Sequence, residues 1–201
     1  MVSGLSQQQR TDVLDWLSDH VPKSRIKHVL RVEEMAVDLA QQHGLSVSHA
    51  AQAGLMHDLA KYFSPEQLIA IATSNGIEID SVFQANPHLL HADVSAIVAR
   101  DEFGIRAPAV LEAIANHTLG RPSMDELSCV VFLADSLEPG RGMKKSLEEL
   151  REISYRDLEK AVWKTCDYTF EKLIGNQRLI HPRALLTRNW FLQSAKQKHE
   201  T

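Results

Sequence analysis

Ten of the 201 residues are histidine, and several stand among apolar neighbours rather than on a polar face. His57-Asp58 follows Ala51-Gln52-Ala53-Gly54-Leu55-Met56 and precedes Leu59-Ala60-Lys61. His28 is flanked by Ile26, Val29 and Leu30, His91 follows Leu89-Leu90, and His117 closes the run Val110-Leu111-Glu112-Ala113-Ile114-Ala115-Asn116. Asp135 is embedded in Val130-Val131-Phe132-Leu133-Ala134-Asp135-Ser136-Leu137, where an unpartnered carboxylate would cost several kcal/mol to bury. Taken singly, each has a plain structural reading as a capped or hydrogen-bonded residue. Taken together, four imidazoles and two carboxylates form a donor set that divalent cations would satisfy at once. Six side chains exceed what one first-row ion needs when a position stays open for water. The set therefore points to two ions about 3.5–4 Å apart that share a carboxylate. No cysteine stands beside these positions, which argues against a thiolate zinc site.

Such a centre acts on anionic substrates, and cations should stand close by. Lys61 lies one helical turn beyond His57-Asp58, within reach of the same cleft. Arg121 follows His117 in a loop, and Arg141 follows Asp135 in Pro139-Gly140-Arg141-Gly142. Arginine suits the paired oxygens of phosphate. Thr118 and Asn116 could bond phosphate or orient the histidines.

Gly and Pro punctuate a series of helical patterns that would carry these groups. Ser6 is placed to cap a first helix to about His20, and Ser24 a second that stops at Gly44. Ser48 opens a third through about Lys61, whose small residues predict a close helix contact. Ser64-Pro65 starts a fourth ending near Asn75-Gly76. Residues 77–87 read as a loop or short irregular stretch. Helices follow over about His88–Phe103 and from Pro108 to about Thr118. Ser123-x-x-Glu126 has the capping-box form and precedes an apolar helix to about Leu137. Ser146-x-x-Glu149 starts another, a long one runs to Leu173, and Pro182 opens the last. No strand is expected. The prediction is an all-α bundle forming a single domain over 1–201, with a core at about 24–138 and additional helices at about 146–198.

The formal charge is −4 and hydrophobic residues make up 44%. These values exclude global disorder and give no basic surface for nucleic acid. No apolar run approaches the roughly 18 residues of a membrane span. Two cysteines cannot build a disulfide framework, which fits a reducing compartment, so a cytoplasmic protein is expected. Trp16, Trp163 and Trp190 read as core or interface anchors, and the Trp- and Leu-rich terminal helices could pair subunits in a homodimer. Cys129 and Cys166 read as buried small hydrophobes. His20, His43, His49, His181 and His199 read as groups at helix ends or in loops.

The order His28, His57-Asp58, His91, His117 and Asp135 resembles the extended metal pattern of the HD-domain phosphohydrolases. More closely, the chain resembles the YqeK family, the HD-type symmetrical bis(5′-nucleosyl)-tetraphosphatases. The resemblance runs from about Ser24 to Asn189. It rests on Arg25-Ile26-Lys27-His28, His57-Asp58-Leu59-Ala60-Lys61, Leu89-Leu90-His91-Ala92, His117-Thr118-Leu119-Gly120-Arg121, Phe132–Arg141 and Leu179-Ile180-His181-Pro182. Ala92 and Leu119 depart from the usual glycine and threonine, but neither is an expected ligand.

The resemblance implies an HD-type helical bundle in which His28, His57, Asp58 and Asp135 hold one metal. Asp58 would bridge to a second metal held by His91 and His117. It favours His91 over His88 as the ligand, and it implies iron, with manganese or another divalent ion able to substitute. The activity implied is hydrolysis of diadenosine tetraphosphate or a related dinucleoside polyphosphate into two ADP, by attack of metal-bound hydroxide on the central phosphoanhydride. Asp58 and Lys61 are the expected catalytic groups, with Lys61, Thr118, Arg121 and Arg141 on substrate phosphate. An HD enzyme for nucleoside mono- or triphosphates and a non-catalytic nucleotide-binding protein remain the alternatives.

Overall fold

A computed structural model describes residues 7–200, with side chains to residue 197. Ser6 and the His199 side chain lie outside the described residues. The order is α1 (Gln7–His20), α2 (Lys23–Gln42), α3 (Val47–Met56), α4 (Pro65–Ser74), α5 (Ser81–Ala85), α6 (His91–Asp101) and α7 (Pro108–Asn116). Then come α8 (Glu126–Leu137), α9 (Lys145–Ser154), α10 (Leu158–Gly175) and α11 (Pro182–Glu200), with 3-10 turns at Pro87–Leu90 and Pro139–Arg141. No strand occurs among the described residues, and no helix there is long and apolar enough to cross a membrane. The all-α expectation holds.

Local chemistry explains where helices start, and it corrects several sequence expectations. Ser64 makes a full capping box with Gln67 and is followed by Pro65. The third helix is capped by Ser46, which accepts from His49 N, and not by Ser48. It stops at Met56, so His57 and Asp58 sit on turns beyond the helix. Ser24 lies inside α2, which starts after Pro22 with no side-chain cap. Asp125 caps α8 by accepting from Ser128 N, while Ser123 sits at φ 55° and forms no box with Glu126. Ser146 lies within α9, which follows Lys144. The stretch expected to be irregular holds α5, nucleated by Asp80 accepting from Val82 and Phe83 N. The helix expected from His88 begins at His91, after the 3-10 turn.

The core is built on α8, where Leu127 through Ala134 are all buried. Around it, α2 contributes Val29, Val32, Ala36 and Leu39, and α7 contributes Val110, Ala113 and Ile114. Close packing of α2 on α3 depends on Gly54, because a Cβ there would lie 2.8 Å from Glu33 Cα. The small-residue contact expected from the sequence is this one. It draws the end of α3, and with it His57-Asp58, against the middle of α2, which carries His28. Trp16, Trp163 and Trp190 are partly buried against the same core.

Candidate active site

Five groups reach the centre from helix ends or the turns beside them: His57 and Asp58 after α3, His91 opening α6, His117 after α7, and Asp135 near the end of α8. His28 joins them from α2. Helix termini suit this task, since the backbone there leaves the helical hydrogen-bond ladder and supplies carbonyls for the rings. His57 Nδ1 donates to Gly54 O at 2.7 Å, His117 Nδ1 to Ile114 O at 2.7 Å, and His91 Nδ1 to His88 O at 2.5 Å. His28 Nδ1 donates to Glu138 Oε1 at 3.0 Å. Those oxygens can only accept, so each Nδ1 carries a proton, and in the neutral ring each Nε2 presents a lone pair to the centre.

Asp58 divides its two oxygens between two sets of rings. Oδ2 lies 3.3 Å from His57 Nε2 and 3.8 Å from His28 Nε2. Oδ1 lies 3.3 Å from His91 Nε2 and 3.7 Å from His117 Nε2. Asp135 Oδ1 stands on the first side, 3.0 Å from His28 Nε2 and 3.8 Å from His57 Nε2. Two groups with metal-ligand spacing result among the described residues, His28-His57-Asp58 and Asp58-His91-His117, and Asp58 belongs to both.

This donor set fits divalent ions. His28 Nε2, His57 Nε2 and Asp58 Oδ1 are buried without a hydrogen-bond partner, an expensive arrangement unless a ligand satisfies them. His91 Nε2 and His117 Nε2 approach to 3.1 Å with lone pairs facing, which a shared cation resolves. Burial pulls His91 down to about 4, against the raising effect of Asp58, and pulls His117 down as well. Both rings are therefore neutral at pH 7, the form that binds metal. Burial alone would raise the Asp58 carboxyl, but the surrounding imidazoles, His57 first and then His117 and His91, hold it well below the usual range. At His57 burial opposes the charged ring, yet Asp58 and Asp135 raise it overall. The spot between those carboxylates attracts positive charge.

A cavity of about 300 Å³ opens beside the centre, lined by His117, Asp135, Lys61, Thr118 and Arg141 together with Tyr168 and Lys172. Lys61 Nζ lies 3.0 Å from His91 Nε2, and Thr118 Oγ1 lies 3.2 Å from the same nitrogen. Burial lowers the Lys61 ammonium, partly offset by Asp58 and Asp135. Arg141 bonds Asp135 Oδ1 at 2.6 Å. Arg121 is exposed and does not line this cavity. His88 is exposed and supplies only its carbonyl. Asn116 is buried against Ser128 Oγ at 3.2 Å, behind His117.

The HD domain model matches residues 25–140, a segment that holds all six centre residues. The chain belongs to the HD-domain family. Among curated HD-domain relatives, it is 33% identical over 187 residues to a symmetrical bis(5′-nucleosyl)-tetraphosphatase of Halalkalibacterium halodurans, covering 93% of this chain and 99% of that one. A protein of the same name from Bacillus subtilis is 29% identical, over 92% of this chain and 99% of its own. A solved structure from Clostridium acetobutylicum, described as a predicted HD superfamily hydrolase involved in NAD metabolism, superposes with a TM-score of 0.88 at 34% identity. That superposition covers 96% of this chain and all of the other.

Two members of this HD-domain centre had no role in the sequence reading. Arg25 donates from Nη1 to Asp58 Oδ2 at 3.0 Å, one helical turn before His28. Glu138 is buried and takes His28 and Arg31 together. Both lie in segments that carry the family resemblance, Arg25–His28 and Phe132–Arg141, but nothing in the spacing assigned either a partner.

Proposed function

We propose that the chain is a di-metal phosphohydrolase, with iron in the centre, that cuts diadenosine tetraphosphate or a related dinucleoside polyphosphate at its central anhydride to release two ADP. The observation that carries this reading is the division of Asp58, one oxygen toward His28 and His57 and the other toward His91 and His117. A single carboxylate facing two imidazole pairs is the arrangement expected of a bridging ligand. His28, His57, Asp58 and Asp135 would hold one ion, and Asp58, His91 and His117 the other. The substrate class is taken from the relatives named symmetrical bis(5′-nucleosyl)-tetraphosphatases.

Ions in such a site supply Lewis acidity and make water acidic enough to act as a nucleophile near neutral pH. The chain's own residues do the rest. Four locked Nδ1 protons fix the ring tautomers and aim every Nε2 inward. Lys61 brings a largely buried ammonium to the phosphate chain, and Thr118 offers a hydroxyl beside it. Arg141 clamps Asp135 through Nε and Nη2 and would offer phosphate its remaining N–H groups, with its side chain 39% exposed at the cavity edge. ADP leaves as a stable anion, so the chain's task is to neutralise charge rather than to protonate the leaving group. Arg121, exposed in the loop after His117, would meet only the outer phosphates.

The test is incubation of diadenosine tetraphosphate with protein purified without oxygen, followed by metal analysis and chromatography of the nucleotides. ADP as the sole product is expected. Release of AMP plus ATP would overturn symmetric cleavage. Asp58→Ala and His57→Ala should abolish turnover while leaving the far-ultraviolet circular dichroism of the helices in place.

A further inference from the structure

The centre opens on two sides. One opening is the cavity beside His117, Asp135 and Lys61. The other, of about 240 Å³, is lined by Ser24, Arg25, His28, Arg31, Tyr62 and Arg141 among others. Arg141 belongs to both walls. Asp135 of the first wall lies 3.0 Å from His28 of the second. The candidate ligands thus stand between two recesses rather than at the bottom of one.

The two recesses differ in kind. The first has Phe132, Leu147 and Tyr168 in its walls and can bury one base. The second is open, and of its guanidinium groups Arg31 is held by Glu138, which lines the same recess. Arg25 spends Nη1 on Asp58, and among the described residues its Nε and Nη2 have no partner. Tyr62 is 53% exposed and follows Lys61 directly, so consecutive side chains line opposite recesses. An open aromatic ring beside arginines offers a stacking face together with phosphate donors, a combination that binds a nucleotide without enclosing it.

We propose that the second recess receives the second nucleoside diphosphate half of the substrate, its base stacked on Tyr62 and its phosphates on Arg25. The inference rests on the proposed function, because a cut in the middle of a tetraphosphate leaves equal halves on both sides of the central bridging oxygen. One enclosed recess would hold only one of them.

The experiment compares two substrates on the metal-loaded, full-length enzyme. Diadenosine tetraphosphate has a base for each recess, whereas adenosine 5′-tetraphosphate has the same phosphates and one base. Tyr62→Ala should lower the preference for the dinucleotide, as a ratio of kcat/KM values, by roughly tenfold, the scale of base–aromatic stacking. Tyr62→Trp should restore it. Calorimetry with a dinucleotide analogue carrying a methylene at the central bridge should show binding weakened by a similar factor in Tyr62→Ala. An unchanged preference, or an equal loss on both substrates, overturns the subsite while wild-type release of ADP leaves the proposed function standing. A wild-type enzyme that cuts no dinucleotide sinks both.

Discussion

Glu138 Oε1 meets His28 Nδ1 at 3.0 Å across 110 residues of chain. The same carboxylate bonds Arg31 and takes Gly140 N at 2.5 Å, so its position is fixed from three directions. Burial would raise it, but Arg31, His28 and the Gly140 amide bring it to about 2. It thus holds the ring tautomer at any ordinary pH. Glu138→Gln should keep the fold and reduce metal affinity about 10–100-fold, as losses behind a ligand histidine do. Metal retained after dialysis against graded chelator measures this, and retention equal to wild type would remove Glu138 from the support of the centre.

Lys61 should matter for substrate and not for metal. Its ammonium lies 3.0 Å from His91 Nε2 and faces the cavity, into which an ion on that nitrogen would turn it. A hydrogen bond to a charged group is worth about 1.5–3 kcal/mol, so Lys61→Ala should cut kcat/KM roughly 10–100-fold with metal content unchanged. Steady-state kinetics beside metal analysis separates the two effects, and a parallel loss of metal would reassign the residue.

Both cysteines should be silent in the native protein. Burial pushes the Cys166 thiol up to about 12, and burial also raises Cys129 well above its ordinary value. Unfolded thiols titrate near 8.5, so between about pH 9 and 12 only the unfolded chain gives up these protons. Stability from this source is whole below about pH 8.5 and declines as pH climbs toward 12. Urea midpoints at pH 7.5 and 10 should fall for wild type and fall less for Cys166→Ala. A thiol reagent at pH 8 should label neither residue until denaturant is added.

Gly54→Ala tests the contact that brings the centre together. The added Cβ would meet backbone, at 2.8 Å from Glu33 Cα, which a side-chain rotation cannot relieve. Destabilisation of about 1–3 kcal/mol is expected, with weaker metal binding, because Gly54 O also anchors the His57 ring. Gly44→Ala is the control: φ is +68° there with nothing within 4 Å, so it should cost stability through backbone strain alone and leave the centre intact. Denaturation midpoints and metal retention for both variants decide the matter.

Much of this was legible from residue type and spacing, and the reasons are physical. His28, His57, Asp58, His91, His117 and Asp135 stand out because polar groups in apolar runs need partners, and the structure brings all six together. Ser64-Pro65 was readable because its capping partner Gln67 is three residues away. Caps were misplaced where two candidates stood close together, as with Ser46 and Ser48 or Ser123 and Asp125. There the choice depends on which residue adopts extended backbone, and sequence spacing does not carry that. Glu138 and Arg25 were missed because their partners lie 110 and 33 residues away, so only the folded chain reveals them. Tyr62 carried no signal, since an exposed tyrosine after a lysine is ordinary until a recess is seen around it.

The contact of α11 with the loop behind His117 has a consequence for any attempt to trim this protein. A Cβ on Gly120, at φ +63°, would lie 2.5 Å from Thr187 Cγ2, and Thr187 Oγ1 donates to Leu119 O at 3.0 Å. Arg183 grips Asp93, two residues past His91, through both guanidinium amino groups. A fragment ending at residue 140, where the family match stops, would keep every candidate ligand but lose the clasp that holds two of them in register. What looks like a dispensable tail works as the hasp on the centre.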